Sequence, residues 1–159
     1  MRTAGFTLVE LIITMTIFAT LIAITVPNLL GTRNRVAVRS NVGIVVADIR
    51  HQQLKAMLGE TEGRSTADSY GVHFETSTYT LFHGSSYSAI EPTNAVVPLN
   101  EGLQFSNVSL PSSSIIFNKG SGTVAGFSSN SHSVTLTNPG NNESVSISFN
   151  SYGLVTGVQ

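Results

Sequence analysis

The sequence predicts an α+β fold, in which a long N-terminal helix is followed by a small β-rich head. Two patterns carry this prediction. An uncharged apolar run over residues 11–26 is followed by apolar residues at three- and four-residue steps as far as Ala56, which is typical of a helix. From Tyr70 onward, short segments alternate apolar and polar residues, which is typical of β-strands.

The first half of the helix has the length of a membrane span. Residues 8–30 amount to about 23 positions, enough to cross a bilayer as a helix. Pro27 lacks an amide hydrogen, and its ring clashes with the preceding turn. We expect the helix either to end there at a membrane surface or to bend there, and the residues leave both alternatives open.

The second half of the helix is amphipathic. Val46 and Leu54 widen its apolar stripe, Gln52 interrupts it, and Gly59 and Gly63 mark the end of the helix. We expect this stripe to pack on the head. The residues of the stripe are Val38, Val42, Val45, Ile49 and Ala56.

The head is predicted to be a small antiparallel sheet or sandwich. Residues 70–74 and 79–82 form a hairpin around a Thr-Ser-Thr turn, and residues 138–142 form a further turn. Residues 84–98 are polar and contain prolines, so we expect an irregular, mobile segment there. The other predicted strands are 103–108, 115–118, 134–138, 145–150 and an edge strand at 154–158.

Glu10 is a lone carboxylate at the start of the apolar run. An Asp at the centre of a span costs roughly 2.5–3.5 kcal/mol, and Glu10, nearer one end, should cost less. Such a residue is a functional-site hypothesis that calls for a partner. Cutting the chain after Gly5 would free an amine on Phe6, four residues before Glu10. A neighbouring copy shifted along its axis could place that amine against Glu10.

Residues 1–13, Met-Arg-Thr-Ala-Gly followed by Phe-Thr-Leu-Val-Glu-Leu-Ile-Ile, resemble the class III signal of type IV prepilins and pseudopilins. The resemblance implies cleavage between Gly5 and Phe6 by a prepilin peptidase and N-methylation of Phe6. It also implies that subunit addition needs Glu10. A secretory signal cleaved near Ala19 or Ala23 is the alternative, but an acid inside its apolar region does not fit.

The head resembles a second group. The hairpin Tyr-Gly-Val-His-Phe-Glu with Tyr-Thr-Leu-Phe, and the later segments 115–120 and 152–155, are similar to the GspH/FimT group of minor pilins and pseudopilins. This implies a pilin-like fold. The chain lacks the disulfide of many major pilins and the Pro-Trp-Gly element of major pseudopilins, since it has no Cys and no Trp.

Together these resemblances imply an organisation and a function. The expected parts are a leader (1–5), a transmembrane and assembly helix (6–30), an amphipathic second half (31–62) and a head (63–159). The expected function is that of a structural subunit of a type IV pilus or type II secretion pseudopilus. Its partners would be prepilin peptidase, other subunits and the inner-membrane assembly platform. The protein would cross the bacterial inner membrane once, with its head outside the cytoplasm, before entering a periplasmic or extracellular fibre.

The alternative function is a minor tip pilin that binds DNA or a surface ligand. Residues 28–64 carry a charge balance of +3, whereas residues 65–159 carry −4. Phosphate contacts need Lys and Arg, so nucleic acid is not expected as a partner of this acidic head.

We expect no enzyme, no cofactor and no metal. His73 and His83 are predicted on paired strands, but no ligand cluster of the kind that zinc needs is visible. The segment Asn138 to Glu143 offers one carboxylate, fewer than a good calcium loop, and is better explained as a turn. No nucleophile elbow, phosphate loop or carboxylate pair appears.

Overall fold

The computed structural model describes residues 7–130 and 132–158, and of residues 25–37 the backbone alone. A long helix, α1 (Leu8–Leu58), precedes two four-stranded antiparallel sheets. The predicted α+β class is confirmed. The strands are β1 (Tyr70–Phe74), β2 (Thr78–His83), β3 (Ala95–Pro98), β4 (Gln104–Ser109), β5 (Ser114–Phe117), β6 (Ser133–Asn138), β7 (Glu143–Phe149) and β8 (Val155–Val158), with a 3-10 turn at Pro111–Ser113.

The chain divides into two compact units, Met1–Val36 and Ala37–Gln159, and α1 contributes to both. The helix continues through Pro27, and the bend predicted there stays a prediction. No helix within the described residues has the length and apolar content that crossing a membrane requires. The helix ends where Gly59 takes a φ of +65° and the Glu60 amide donates to the Lys55 carbonyl at 3.0 Å, so the stop predicted at Gly59 is confirmed.

The first sheet has the order β3-β2-β1-β5. Its centre is the predicted hairpin, with Tyr70 opposite His83 and Phe74 opposite Tyr79. The expectation that residues 84–98 are irregular throughout is wrong, because Ala95–Pro98 pairs with β2 as an edge strand. Proline is tolerated at the end of an edge strand, where its missing donor faces no neighbour.

The second sheet has the order β4-β6-β7-β8. The predicted strands at 103–108, 134–138 and 145–150 are confirmed, with ends shifted by one or two residues. The predicted edge strand at 154–158 is also confirmed, since β8 pairs with β7 alone.

Both sheets and the second half of α1 share one hydrophobic core. The Phe105 ring of the second sheet lies edge-on to Phe74 of the first, with centroids 5.1 Å apart. All five residues of the predicted stripe on α1 are buried in this core, which confirms the packing face. Val46 lies at its margin, but Leu54 is 50% exposed, so the stripe does not widen to include it.

Hydrogen bonds attach α1 to loops of the head. Gln53 Nε2 donates to the carbonyls of Gly122 at 2.9 Å and Tyr152 at 2.6 Å. The Gly120 amide donates to the Ala56 carbonyl at 2.8 Å. The last turns of the helix are therefore held at a defined position on the sheets.

Candidate functional site

Of the residues predicted for processing and assembly at the N-terminus, only Glu10, the predicted assembly residue, is described by the structure. Gly5 and Phe6 lie outside the described residues, so their roles stay predictions. Glu10 lies in the first turn of α1, with its side chain exposed.

Thr7 caps the start of α1, and its hydroxyl also contacts the Glu10 side chain. The Glu10 amide donates to Thr7 Oγ1 at 3.3 Å, and that hydroxyl donates to Glu10 Oε2 at 3.4 Å. The Leu11 amide donates to the Thr7 carbonyl at 3.2 Å, as expected when Thr7 is the cap. The positive end of the helix dipole favours a carboxylate at this position. Glu10 is therefore not without a contact in its own segment, and the Thr-x-x-Glu spacing is the sequence signal from which this could be predicted.

The helix beyond Glu10 presents an apolar sleeve, by which we mean the large apolar side chains between Leu8 and Ile24. Each is more than half exposed. Because consecutive helical residues are rotated by about 100°, these side chains cover every side of the helix. A surface helix of a globular protein is typically apolar on one face only, so this segment differs from such a helix. The sleeve consists of Leu8, Val9, Leu11, Ile12, Ile13, Met15, Ile17, Phe18, Leu21, Ile22 and Ile24.

The threonine hydroxyls of this segment are satisfied within the helix. Thr14, Thr16 and Thr20 each donate to the carbonyls three and four residues earlier, at 2.8–3.1 Å. These hydroxyls need no water, so the segment suits an apolar environment. A groove of about 360 Å³ runs past Thr16 and Ala19, where small side chains allow a second helix to approach closely.

The histidines of the head do not form a pair. His73 and His83 lie on adjacent strands, as predicted. However, His83 is opposite Tyr70, three residues from His73, so the two imidazoles lie on opposite faces of the sheet. His73 stacks on Tyr87 with centroids 3.9 Å apart, and its burial lowers the pKa of the imidazole. Among the described residues, no group of three or more His, Asp or Glu side chains is placed to hold a metal ion.

The asparagine-rich segment after β6 is a turn. Asn138 Oδ1 accepts from the Gly140 amide at 2.9 Å, and Asn141 Oδ1 accepts from the Glu143 amide at 3.0 Å. These side-chain oxygens hold their own backbone, in the way typical of Asx turns. This confirms the interpretation as a turn.

A polar cluster lies where β2 meets the loop before β1. His83 Nδ1 is 3.0 Å from Asp68 Oδ2, and His83 Nε2 is 2.9 Å from Thr93 Oγ1. Burial opposes ionisation of the Asp68 carboxyl, but hydrogen bonds from His83 and the Ser69 amide outweigh it and lower its pKa. Sequence reasoning missed this cluster because its members are 10 to 25 residues apart and only the fold brings them together.

A group of charged side chains around Glu62, just after the end of α1, lies beside this polar cluster. Glu62 forms ion pairs with Lys55 and with Arg64, the latter at 3.2 Å. The hydrogen bond from Lys55 lowers the pKa of the Glu62 carboxyl. Burial acts in the opposite direction, and the contact with Arg64 lowers the pKa further. Lys55 and Arg64 also lie over the Tyr70 ring, at 5.5 and 5.6 Å from its centroid.

Comparison with protein families bears on the N-terminus. Residues 1–26 match the family model described as the prokaryotic N-terminal methylation motif, and this range contains Gly5, Phe6 and Glu10. The curated proteins and the solved structures gave no match. The resemblance of the head to the GspH/FimT group therefore stays a prediction. The chain carries at its N-terminus the methylation signal of type IV pilins and pseudopilins, as its first residues predict.

Proposed function

We infer that the chain is a structural subunit of a type IV pilus or a type II secretion pseudopilus, polymerised through its N-terminal helix. One observation carries this inference: the matched methylation motif contains the apolar sleeve, in a chain whose second compact unit, Ala37–Gln159, is a separate head unit. A surface helix of an ordinary globular protein is apolar on one side only. This role requires no catalysis, and we propose no enzymatic activity.

Processing removes residues 1–5. Prepilin peptidase cuts between Gly5 and Phe6 and methylates the new amine. Thr7 and Glu10 both lie on the mature side of this cut, so the Thr7 cap and its contact with Glu10 survive processing. The mature helix thus begins with a capped first turn and a new cation close in sequence to an exposed carboxylate.

Before assembly, residues 6–30 cross the inner membrane once, with the head outside the cytoplasm. The described side chains of this segment end at Ile24, short of a full span, and the remaining residues lie outside the described part. The exposed sleeve and the internally bonded threonines support this placement, because both suit a hydrocarbon environment. The assembly platform then moves the subunit into a periplasmic or extracellular fibre, where helices of neighbouring copies cover the sleeve.

Glu10 acts in assembly as the partner of a neighbour's Phe6 amine. The Thr7 hydroxyl holds the carboxylate only at 3.4 Å and leaves its charge uncompensated. Burying that charge among apolar helices requires a cation. Breaking a buried ion pair by removing one partner typically costs about 3–5 kcal/mol, enough to deplete fibres strongly.

The test compares three variants in cells that make the fibre. Glu10→Gln keeps a side-chain oxygen that can accept from the Thr7 hydroxyl but removes the charge. Thr7→Ala removes the cap and keeps the charge. Glu101→Gln, at an exposed acid of the head, is the matched control. For each variant, the membrane pool and the sheared fibre are quantified, and the N-terminus is read by intact mass spectrometry.

We expect a mature N-terminus at methylated Phe6 in all three variants. Only Glu10→Gln should fail to enter fibres while remaining in the membrane. Equal depletion by Thr7→Ala would show that Glu10 serves the helix cap and not the assembly contact. A wild-type N-terminus at Met1, or near Ala19 or Ala23, would overturn the proposed processing.

A further inference from the structure

A groove in the head unit lies between the first turns that α1 contributes to this unit and the last two strands of the second sheet. Three valines and one arginine line it, and it has about 450 Å³ of space. Val42 is 4% and Val145 9% exposed, whereas Val158, on the edge strand β8, is 54% exposed. We call this the valine groove, and its fourth lining residue is Arg39.

Arg39 gives the valine groove a positive charge. Its side chain is exposed, and among the residues that the structure describes it forms no ion pair. A guanidinium presents a planar fork of donors that matches the two oxygens of a carboxylate. The groove therefore fits an occupant that carries an apolar side chain next to an acidic one.

The same chain presents such a pair of side chains on its surface. Ile90 is 93% exposed, more than any other large apolar side chain among the described residues, and Glu91 follows it directly. Glu91 Oε1 accepts a hydrogen bond from Thr93 Oγ1 at 3.2 Å, and the side chain is 40% exposed. We call Ile90 and Glu91 the knob.

The knob is held in a defined turn. The Glu91 amide donates to the Ser88 carbonyl at 3.3 Å, and the Asn94 amide donates to the Glu91 carbonyl at 3.2 Å. Asn94 Nδ2 also donates to the Ser88 carbonyl, at 2.8 Å. Because these bonds fix the turn in advance, a partner that covers Ile90 loses little further conformational entropy from this loop.

The knob and the valine groove lie at different levels along α1. Glu91 Oε1 is 3.9 Å from Nε2 of His83, and His83 lines a small cleft together with Gln52 of the helix. The groove begins at Val42, ten residues earlier, which is about 15 Å along a helix. A knob therefore meets a groove when two copies are shifted along the helix axis.

We propose that the valine groove of one copy receives the knob of another copy of this chain, with Ile90 packed on the valines and the Glu91 carboxylate paired with the Arg39 guanidinium. The two surfaces differ, so the contact is heterologous, and its repetition links copies into an open chain. The charge balance of +3 for residues 28–64 and −4 for residues 65–159 favours this pairing of a helix with the head of the next copy.

This proposal rests on the proposed fibre role. Stable interfaces bury roughly 1,200–2,000 Å² in total, far more than two side chains supply. The contact therefore forms where the N-terminal helices already hold the heads close together and raise their effective concentration. It sets the axial offset between neighbouring heads.

Disulfide trapping tests the contact, because the chain has no cysteine of its own. Ala89→Cys lies beside the knob and Val158→Cys lies in the valine groove, and both positions are exposed. Fibres of the full-length double variant are oxidised mildly with copper phenanthroline and separated on a non-reducing gel. We expect a ladder of dimers, trimers and longer multimers, since every copy carries both thiols, whereas each single variant should stay monomeric.

The matched control pairs Ala89→Cys with Leu154→Cys. Leu154 is 59% exposed, close to the 54% of Val158, but lies four residues away, or roughly 13 Å along an extended strand. This pair should give no ladder. A ladder of equal strength would show that the heads collide without a preferred contact and would overturn the proposal.

Charge reversal identifies the two partners. In the Ala89→Cys and Val158→Cys background, Arg39→Glu or Glu91→Lys alone should lower the cross-linked fraction severalfold, because like charges then face each other. The two reversals together should restore it. Arg50→Glu, at another exposed arginine of α1, should not rescue Glu91→Lys. Loss of the ladder in Arg39→Glu that Glu91→Lys does not repair would assign the groove to a different anion, such as a lipid phosphate, and overturn the proposal.

The outcome for the contact is separable from that for the fibre. Fibres that form without a ladder overturn the contact and leave the proposed function intact. If the wild type forms no fibres, the proposed function fails, and the same oxidation of the concentrated full chain in detergent decides the contact: a ladder supports it and its absence overturns it.

Discussion

The Tyr79 hydroxyl donates a 2.6 Å hydrogen bond to the Asp48 carboxylate and thereby joins β2 to α1 within the head unit. Tyr79 is 1% exposed. Burial raises the pKa of its phenol, and the hydrogen bond to Asp48 and the charge of that carboxylate raise it further. The phenol therefore stays protonated and serves as a permanent donor to the helix.

A fragment that begins near Arg33 should fold as a soluble monomer. Residues from Ala37 onward form their own compact unit with a complete hydrophobic core, while the apolar sleeve lies entirely before it. Circular dichroism and sedimentation of the fragment measure this. A fragment that is insoluble, or that lacks a cooperative unfolding transition, would contradict a separable head.

Tyr79→Phe should destabilise that fragment by about 1–3 kcal/mol, because it removes a hydrogen bond to a charged group and leaves a half-buried carboxylate without its donor. Urea unfolding followed by circular dichroism gives the free energy. Tyr152→Phe is the matched control, since Tyr152 is 67% exposed and should give no change. Equal stability of Tyr79→Phe and the wild type would mean that water replaces the phenol at Asp48.

The elements predicted correctly are those whose pattern records burial directly. The stripe from Val38 to Ala56 appears in the sequence because residues three and four apart lie on the same side of a helix, here the side that faces the core. The hairpin of β1 and β2 appears because alternate residues face the core. By contrast, β3 was missed: its two adjacent valines do not alternate, and as an edge strand it needs only β2. Leu54 is exposed and not part of the buried stripe, because its position on the helical wheel does not show where the sheets end.

The candidate sites divide in the same way. Gly5, Phe6 and Glu10 form a local motif, so consecutive residues are enough to predict a methylation signal there. The polar cluster of Asp68, His83 and Thr93 depends on the loop before β1, the end of β2 and the loop after it, which come together only in the folded chain. The sequence marks Gln52 as an interruption of the stripe but does not show that its Oε1 atom is buried with no hydrogen-bond partner among the described residues.

Low pH should reduce the free energy of unfolding of the head, partly through protonation of Glu62. Hydrogen bonding to Lys55 lowers the pKa of this carboxyl below its ordinary value of 4.5. A carboxyl with a lowered pKa contributes stability that is complete above the unfolded-state value and is lost as the pH falls through the folded-state value. Stability of the fragment should therefore decline as the pH falls from about 5.5 toward 3, and Asp68, whose pKa is also lowered, adds to the decline.

Urea unfolding of the fragment at a series of pH values measures this contribution. The difference in stability between wild type and Glu62→Gln should be largest near neutral pH and should shrink in acid. Glu101→Gln, at an exposed acid, should follow the wild-type profile. A difference that does not vary with pH would show that Glu62 acts without its charge.

Two glycines should respond oppositely to the same substitution. A Cβ added at Gly71 would lie 2.6 Å from the Phe82 ring and 2.7 Å from the Ile115 carbonyl oxygen, and that backbone atom cannot move aside without disturbing β5. Gly71→Ala should therefore cost about 1–3 kcal/mol or more. At Gly43, on α1, no described atom beyond the adjoining helix backbone lies within 4 Å of an added Cβ, so Gly43→Ala should stabilise the fragment by about 0.5–1 kcal/mol. Urea unfolding gives the free energy of unfolding of both variants and of the wild-type fragment. A Gly71→Ala fragment as stable as the wild type would mean that β1 and β5 are not packed as closely as described.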